Sequence, residues 1–258
     1  MIHWLIAFII TLASIYYQRT TGPTYPLKGA ITLEDQIIRY RLERAHSTAS
    51  DQPVIIRTPD SMMTGEVLWR RFPTNDAWQT ITMNRHGDTL FAALPRQPAA
   101  GKLEYAVVLT KGKTQVRLPE KGAVITRFRG DVPGYFLVPH IVLMFVAMLL
   151  SIRTGLEAVR KEGHPRAYVW TTVITLFLGG MIFGGLVQKY AFGAFWAGFP
   201  LGMDLTDNKT LIALLGWIAA TIAVEKNRYR KFWVLTAALL MLAVYAIPHS
   251  LFGSELKY

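Results

Sequence analysis

Two histidines sit at the margins of apolar runs, and a short acidic stretch sits before a third. His140 follows Val138-Pro139 near the start of the run Tyr135–Ile152, and His249 follows Pro248 just past the run Phe232–Ile247. Imidazoles on separate helices can ligate a haem iron axially or, with Asp204 or Asp207, hold a divalent metal. Ligation needs the neutral ring, and a nearby carboxylate helps to orient it. A quinol site built from the same His and Asp is a variant of this chemistry. The competing expectation is structural: each histidine caps or hydrogen-bonds its own helix end. Likewise Asp207 or Thr206, within Met203-Asp204-Leu205-Thr206-Asp207-Asn208-Lys209-Thr210, can accept from the free N–H groups of a helix that starts there. Capping accounts for one carboxylate and leaves the rest of Asp204, Asp207, Asn208 and Lys209 to be explained. Gln188, Lys189, Ser250 and Glu255 join the group by position along the chain. His46 and His86 lie in turn-rich segments with no ligand at metal spacing and read as solvated loop histidines.

Other chemistries lack their residues. The chain has no cysteine, which excludes disulfides, thiolate metal sites, iron–sulfur clusters and a cysteine nucleophile. Neither GxxxxGK[ST] nor GxGxxG occurs in a strand-to-helix context. His249-Ser250 and Gly253-Ser254-Glu255 hold hydrolase residue types without a nucleophile elbow. A secondary transporter would show internal repeats and broken helices, and no repeat is evident. The balance of 28 Lys+Arg against 17 Asp+Glu gives +11. These cations flank apolar runs and do not gather on one face, so nucleic acid is not the expected partner.

The elements that would position these residues follow from hydropathy. Of 258 residues, 52% are hydrophobic and only 17% charged, well under the share in a soluble enzyme. Five runs can cross a bilayer: Ile2–Tyr17, Tyr135–Ile152, Tyr168–Val187, Thr210–Val224 and Phe232–Ile247. The loops after the second and fourth carry Arg153, Arg160, Lys161, Arg166, Lys226, Arg228, Arg230 and Lys231, against Lys189 and Lys209 in the loop from Gln188 to Lys209 and Lys257 in the tail. That asymmetry places the first group in the cytoplasm, and with it the N-terminus; residues 21–132 and the C-terminus then lie outside. The first run has no basic residue in Met1-Ile2-His3 and no clean cleavage site near Ser14, and reads as an uncleaved anchor. The second helix is expected to begin near Pro139, with His140 in its first turn, and to stop at Gly163. Gly180 and Gly184 stand in small-xxx-small relation, a packing signal in lipid. The loop Ala191 to Gly202, rich in glycine and aromatics, suits the headgroup region or a re-entrant dip.

Between the first two runs the period becomes two. Ile38, Tyr40 and Leu42 alternate with Arg39, Arg41 and Glu43, and Leu103, Tyr105, Val107 and Leu109 alternate with Lys102, Glu104 and Ala106. Further strand-like runs are Val54–Arg57, Glu66–Phe72, Trp78–Met83, Thr89–Leu94, Lys113–Leu118 and Ala123–Phe128, separated by Pro, Gly, Asn and Asp turns. The pattern predicts a β-sandwich of immunoglobulin or fibronectin type with Trp69 and Trp78 in its core.

The stretches Gln188-Lys189-Tyr190-Ala191-Phe192-Gly193, Asp204 to Thr210, Pro248-His249-Ser250 and Gly253-Ser254-Glu255 resemble an uncharacterised family of bacterial inner-membrane proteins. The resemblance covers the C-terminal half; it implies a bacterial membrane location and brings no activity. The full expectation has three parts. These are an anchor over 1–20, an extracytoplasmic all-β sandwich over 21–132, and a helical bundle over 133–258 that brings the transmembrane helices to five. The expected role is a non-enzymatic one: the sandwich docks a membrane or periplasmic protein partner and the bundle holds it in the lipid bilayer. The alternative is a redox, haem, quinol or metal-binding subunit with its site at the outer rim, under the sandwich.

Overall fold

A computed structural model describes residues 1–34, 36–248 and Leu256. The chain divides into two compact units; among the described residues one is Met1–Pro23 with 132–248, the other Thr24–Asp131 with Leu256.

The second unit is β-rich. Its strands are β1 (Leu27–Leu33), β2 (Gln36–Leu42), β3 (Ala45–Ser47), β4 (Gln52–Arg57), β5 (Thr64–Arg71), β6 (Gln79–Thr82), β7 (Asn84–His86), β8 (Thr89–Leu94), β9 (Lys102–Lys111), β10 (Thr114–Leu118) and β11 (Val124–Arg129). They form a β1–β2 hairpin, a β4–β8–β7 sheet and a larger sheet ordered β3–β11–β9–β5–β6, with β10 also paired to β9. All pairs are antiparallel except β3 with β11, where Ala45 faces Arg127 and Ser47 faces Arg129. The period-two alternation has its direct counterpart here. β4 buries Gln52, Val54 and Ile56 and exposes Pro53, Ile55 and Arg57. Inward residues from all three sheets share one core, including Leu42, Ile56, Leu94, Tyr105, Leu109 and Phe128.

Two of the hairpins turn on a glycine-containing pair of residues. Gly87-Asp88 joins β7 to β8, and Gly112-Lys113 joins β9 to β10. Gly87 and Gly112 have φ of 60° and 58°, the left-handed values that tight hairpin loops require and glycine adopts without strain.

Two buried polar side chains of this core are bonded, while the Trp69 indole N–H and the Thr58 hydroxyl have no hydrogen-bond partner among the described residues. Tyr105 donates its hydroxyl to the Glu43 carbonyl at 2.8 Å, and Thr126 donates to Gln52 Oε1 at 2.6 Å. Trp69 packs against the core as expected, but Trp78 does not: it is 39% exposed. The Arg70 guanidinium lies 4.8 Å and that of Arg117 5.8 Å from its ring centre. Two cations claim the indole for the surface, an interaction that alternation cannot reveal.

The other unit is helical: α1 (Ile2–Thr21), α2 (Gly134–Val159), α3 (Arg166–Phe192), α4 (Leu205–Glu225) and α5 (Arg230–Ala246). Among the described residues, three helices are long and apolar enough to cross a membrane: α2, α3 and α4, of 26, 27 and 21 residues. α1 has the length but ends in Tyr16-Tyr17-Gln18-Arg19-Thr20-Thr21, which dilutes its apolar run, and α5 has only 17 residues. Both still contribute to the helical core, where Ala7, Met148, Val169, Trp217, Val234 and Met241 are fully buried.

Glycines set the spacing of α3. A Cβ on Gly179 would stand 2.8 Å from Leu143 Cβ of α2, and one on Gly180 2.6 Å from Thr210 Cγ2 of α4. Adjacent positions therefore serve two interfaces, where the expected pair was Gly180 and Gly184. Gly184 instead faces the His140 ring. Over Phe177–Phe183 the helix widens to a π-turn, and the Gly184 N–H bonds the Gly179 carbonyl.

The start of α2 also differs from expectation. The helix begins at Gly134 and carries Pro139 inside it, which puts His140 in the second turn; it stops at Val159, short of Gly163. The added turn is held by rings: Phe136 stacks at 4.5 Å on Tyr135 and at 5.4 Å on Tyr190 of α3.

Candidate functional site

Of the residues singled out by type, those described fall at the end of the bundle where α2 and α4 begin and α3 and α5 finish. Asp204 is the N-cap of α4. Its Oδ1 accepts from the N–H of Thr206 at 2.8 Å and of Asp207 at 3.4 Å. The cap thus falls on Asp204, where the sequence favoured Asp207 or Thr206. Those two have helical backbone, and only the residue before the first helical one can fold its side chain back onto the free N–H groups.

Asp207 and Asn208 reach instead into the preceding loop. Asp207 Oδ2 accepts from the Ala197 N–H at 2.6 Å, and Asn208 Oδ1 accepts from the Phe199 N–H at 2.6 Å. The loop answers with its own bonds. Asp204 N–H donates to Ala197 O at 3.0 Å, and the Trp196 indole N–H donates to Phe199 O at 3.0 Å. Gly198 lies so close that a Cβ there would stand 2.7 Å from Asp207 Cβ. The acidic stretch is therefore a clamp that fixes residues 196–204 against the first turn of α4.

Lys209 turns inward and is only 5% exposed. Its ammonium donates to the Ile247 carbonyl at 2.6 Å, one of the acceptors left free where α5 ends. Gln18 of α1 does the same for the Tyr245 carbonyl at 3.1 Å, and the Tyr245 hydroxyl donates to Met144 O at 2.8 Å. These three tie the ends of α1, α4 and α5 to α2 around a cavity of about 10 Å³. Sequence reading left Gln18 and Tyr245 out, because each looks like an ordinary interfacial side chain until its partner helix is known. Gln188 is buried, whereas Lys189 is exposed.

His140 is tied to the π-turn. Its Nδ1 lies 2.8 Å from the Gly179 carbonyl oxygen, which can only accept, so Nδ1 carries the hydrogen. In the neutral ring Nε2 is then the lone-pair nitrogen. An imidazole whose Nδ1–H is held by a backbone carbonyl is oriented in the manner of metal- and haem-ligating histidines. His249 and Glu255 lie outside the described residues. Among the described residues, no three His, Cys, Asp or Glu side chains gather as a metal set.

The opposite end of the bundle holds a cluster that the sequence presented only as topogenic charge. Arg153 and Glu157 sit one turn apart on α2 with side chains 7% and 4% exposed, joined at 2.7 Å. Glu157 also accepts from Arg160 Nη1 at 2.9 and 3.0 Å and from the His164 N–H at 3.2 Å. The Arg153 guanidinium lies 4.6 Å from the Tyr168 ring centre and 5.5 Å from that of Trp4. Nearby, Arg166 Nη2 meets Glu225 Oε2 at 2.7 Å while the Trp170 indole N–H donates to Glu225 Oε1 at 2.8 Å, linking α3 to α4. The legible signal was the i, i+4 spacing of opposite charges just past an apolar run, which puts both on one helix face.

In the β-rich unit, Arg85 gathers the carbonyls of Thr58, Asp60 and Met63 at 3.1, 2.9 and 2.6 Å, and Lys111 bridges Glu34 and Asp60 at 2.7 and 2.8 Å. The hydrogen bond from Lys111 holds the Asp60 carboxyl below its usual range, and the same contact raises Lys111. Neither of the expected loop histidines lies in a loop: His46 is half-buried in β3, its ring edge-on to Phe128 at 5.9 Å and its Nε2 3.1 Å from the Ser50 hydroxyl, and His86 ends β7, where it is exposed. No family model matches this chain, and no curated protein or solved structure matches it either.

Proposed function

We propose that this chain is a bacterial inner-membrane protein that works as a non-enzymatic docking subunit. All five helices cross the bilayer, α1 and α5 by seating their polar ends at the interface. The β-rich unit is an immunoglobulin- or fibronectin-like sandwich outside the cytoplasm that binds a membrane or periplasmic protein. The single observation that carries the reading is the use made of the polar rim. Asp204, Asp207, Asn208, Lys209 and Gln18 each bond backbone groups of this same chain. Side chains spent on holding a rim together are those of a scaffold. The basic loops between α2 and α3 and between α4 and α5 support the orientation.

Two measurements test it. Reporter fusions at Thr89 are expected to report export and those at Lys161 the cytoplasm; Thr89 in the cytoplasm sinks the topology. Gentle extraction is expected to recover a partner protein at fixed stoichiometry, and recovery of a lone monomer overturns the docking role.

The ligand-binding alternative rests on His140, whose Nδ1–H···O=C bond leaves Nε2 available. It requires a haem or metal bound by the purified protein and lost on His140→Ala. A colourless, metal-free preparation from cells supplied with both would eliminate it.

A further inference from the structure

The turn between α4 and α5 reads Lys226-Asn227-Arg228-Tyr229-Arg230-Lys231, four cations in six residues with no acid among them. The carboxylate next to it along the chain, Glu225, is already held by Arg166 and Trp170. Asn227 and Tyr229 both take left-handed backbone, with φ of 47° and 51°. Tyr229 stands out 71% exposed, with the Arg228 guanidinium 5.6 Å from its ring centre.

Tyr229 divides two shallow grooves. One, of about 420 Å³, has Ala219, Ile222 and Ala223 of α4 as its apolar floor, Trp233 of α5 as a wall, and Lys226 and Arg228 at its mouth. The other, of about 570 Å³, pairs Phe232 and Leu235 with Arg230 and Lys231. Each groove has apolar walls along the helices and, at the α4–α5 turn, two cations that form no ion pair among the described residues. Small side chains at Ala219 and Ala223 open the first groove, and an indole closes it. An isolated phosphate would use the cations and leave the apolar floor bare; an acyl chain alone would leave the cations unpaired.

We propose that this turn is a binding site for an anionic phospholipid. The phosphate sits between Lys226 and Arg228, and one acyl chain lies along Ala219, Ile222 and Ala223 against Trp233. Complementary charge selects the headgroup, and the groove fixes where the chain goes. Basic pockets between membrane helices recognise acidic lipid headgroups in this way. The inference rests on the membrane-spanning reading of α4 and α5.

The test uses the full chain reconstituted in lipid nanodiscs of phosphatidylcholine containing a minor fraction of phosphatidylglycerol, followed by native mass spectrometry of the lipids retained. Retention of phosphatidylglycerol over phosphatidylcholine is expected. A cation at an acidic lipid surface contributes about fivefold in affinity, so the pair Lys226→Gln with Arg228→Gln is expected to weaken retention about 25-fold. Trp233→Ala is expected to weaken it with the charge intact, which separates the groove from mere attraction. Lys161→Gln, an exposed cation on another loop, is expected to leave it unchanged. Equal retention of both lipids, or an equal loss on Lys161→Gln, overturns the site. Displacement of the retained lipid by inorganic phosphate alone, with Trp233→Ala silent, also overturns it. Failure of the wild-type chain to enter nanodiscs at all counts against the membrane reading instead.

Discussion

Arg153 concentrates the energetics of the helical unit in one side chain. Its charge is buried, paired once with Glu157 and stacked on Tyr168 and Trp4, while its Nε and Nη1 have no hydrogen-bond acceptor among the described residues. Removing one partner of a buried ion pair strands the other, which costs about 3–5 kcal/mol, whereas removing both can be nearly neutral. Arg153→Ala would leave Glu157 its bonds from Arg160 and His164, so it is Glu157→Leu, which strands Arg153, that is expected to lower the unfolding temperature of the detergent-solubilised protein sharply. The double variant Arg153→Met, Glu157→Leu is expected to recover most of the loss. A double variant no better than the single would show that the rings, and not the carboxylate, carry the interaction. A second residue-scale expectation concerns Lys111 and Asp60. The folded value of Asp60 lies below the ordinary 3.8, so the stability it contributes is complete above pH 3.8 and fades as pH falls through that lower value. The folded value of Lys111 lies above the ordinary 10.5, so its share is complete below pH 10.5 and fades as pH rises through the higher value. Lys111→Gln is expected to flatten both limbs of the pH–stability profile of the β-rich unit. Limbs that overlay the wild type would mean that solvent screens the contact fully.

At the scale of elements, the two glycines of α3 make the sharpest expectation. A Cβ on Gly179 would press on Leu143, so Gly179→Val is expected to destabilise the α2–α3 pair by about 1–3 kcal/mol and to loosen the His140 bond. Gly134→Ala, with open space around it, is the matching control. Thermal unfolding of both variants and exchange of the Gly184 amide, which bonds within the π-turn, would check this; equal behaviour would refute the close approach. What the sequence disclosed at this scale follows from where the causes lie. β8 coincides with the alternating run Thr89–Leu94, because a strand with one buried face writes its pattern locally. β3 and β7 escaped notice at three residues each, too short to show a period. The start of α2 was misplaced because the turn before Pro139 is held by Tyr190, a residue of another helix. The π-turn has no mark of its own in Phe177–Phe183. At the rim, residue types pointed to the right segment, but which carboxylate caps and which clamps depends on where Ala197 and Phe199 fold back.

At the scale of the whole chain, the β-rich unit interrupts the helical one between α1 and α2. Its large sheet is centred on β9, flanked by β5 and β11, and finished at one edge by β3, which pairs parallel to β11 across some eighty intervening positions. Long-range parallel pairing is slow, because the loop must close before any ladder bond repays it. A chain with β11 disrupted, for instance by Thr126→Pro, is expected to lose both the β9–β11 ladder and the β3 edge, seen as rapid proteolysis near Ala45. A resistant Ala45 region would show that β3 is held by other means.

The same pairing imposes an order on biogenesis. Ala45 emerges from the ribosome early, yet its only ladder partner, Arg127, is not made until the chain is about to begin α2. For that whole interval the sheet lacks β11, and with it the partner of both β3 and the Lys102–Tyr105 half of β9. Completion of the sheet and delivery of the second helix therefore fall within the same few seconds of synthesis, at a rate of about 5–20 residues per second. Anything that stalls translation before β11 has left the ribosome would hold β3 without its partner, so the sheet and α2 reach completion together.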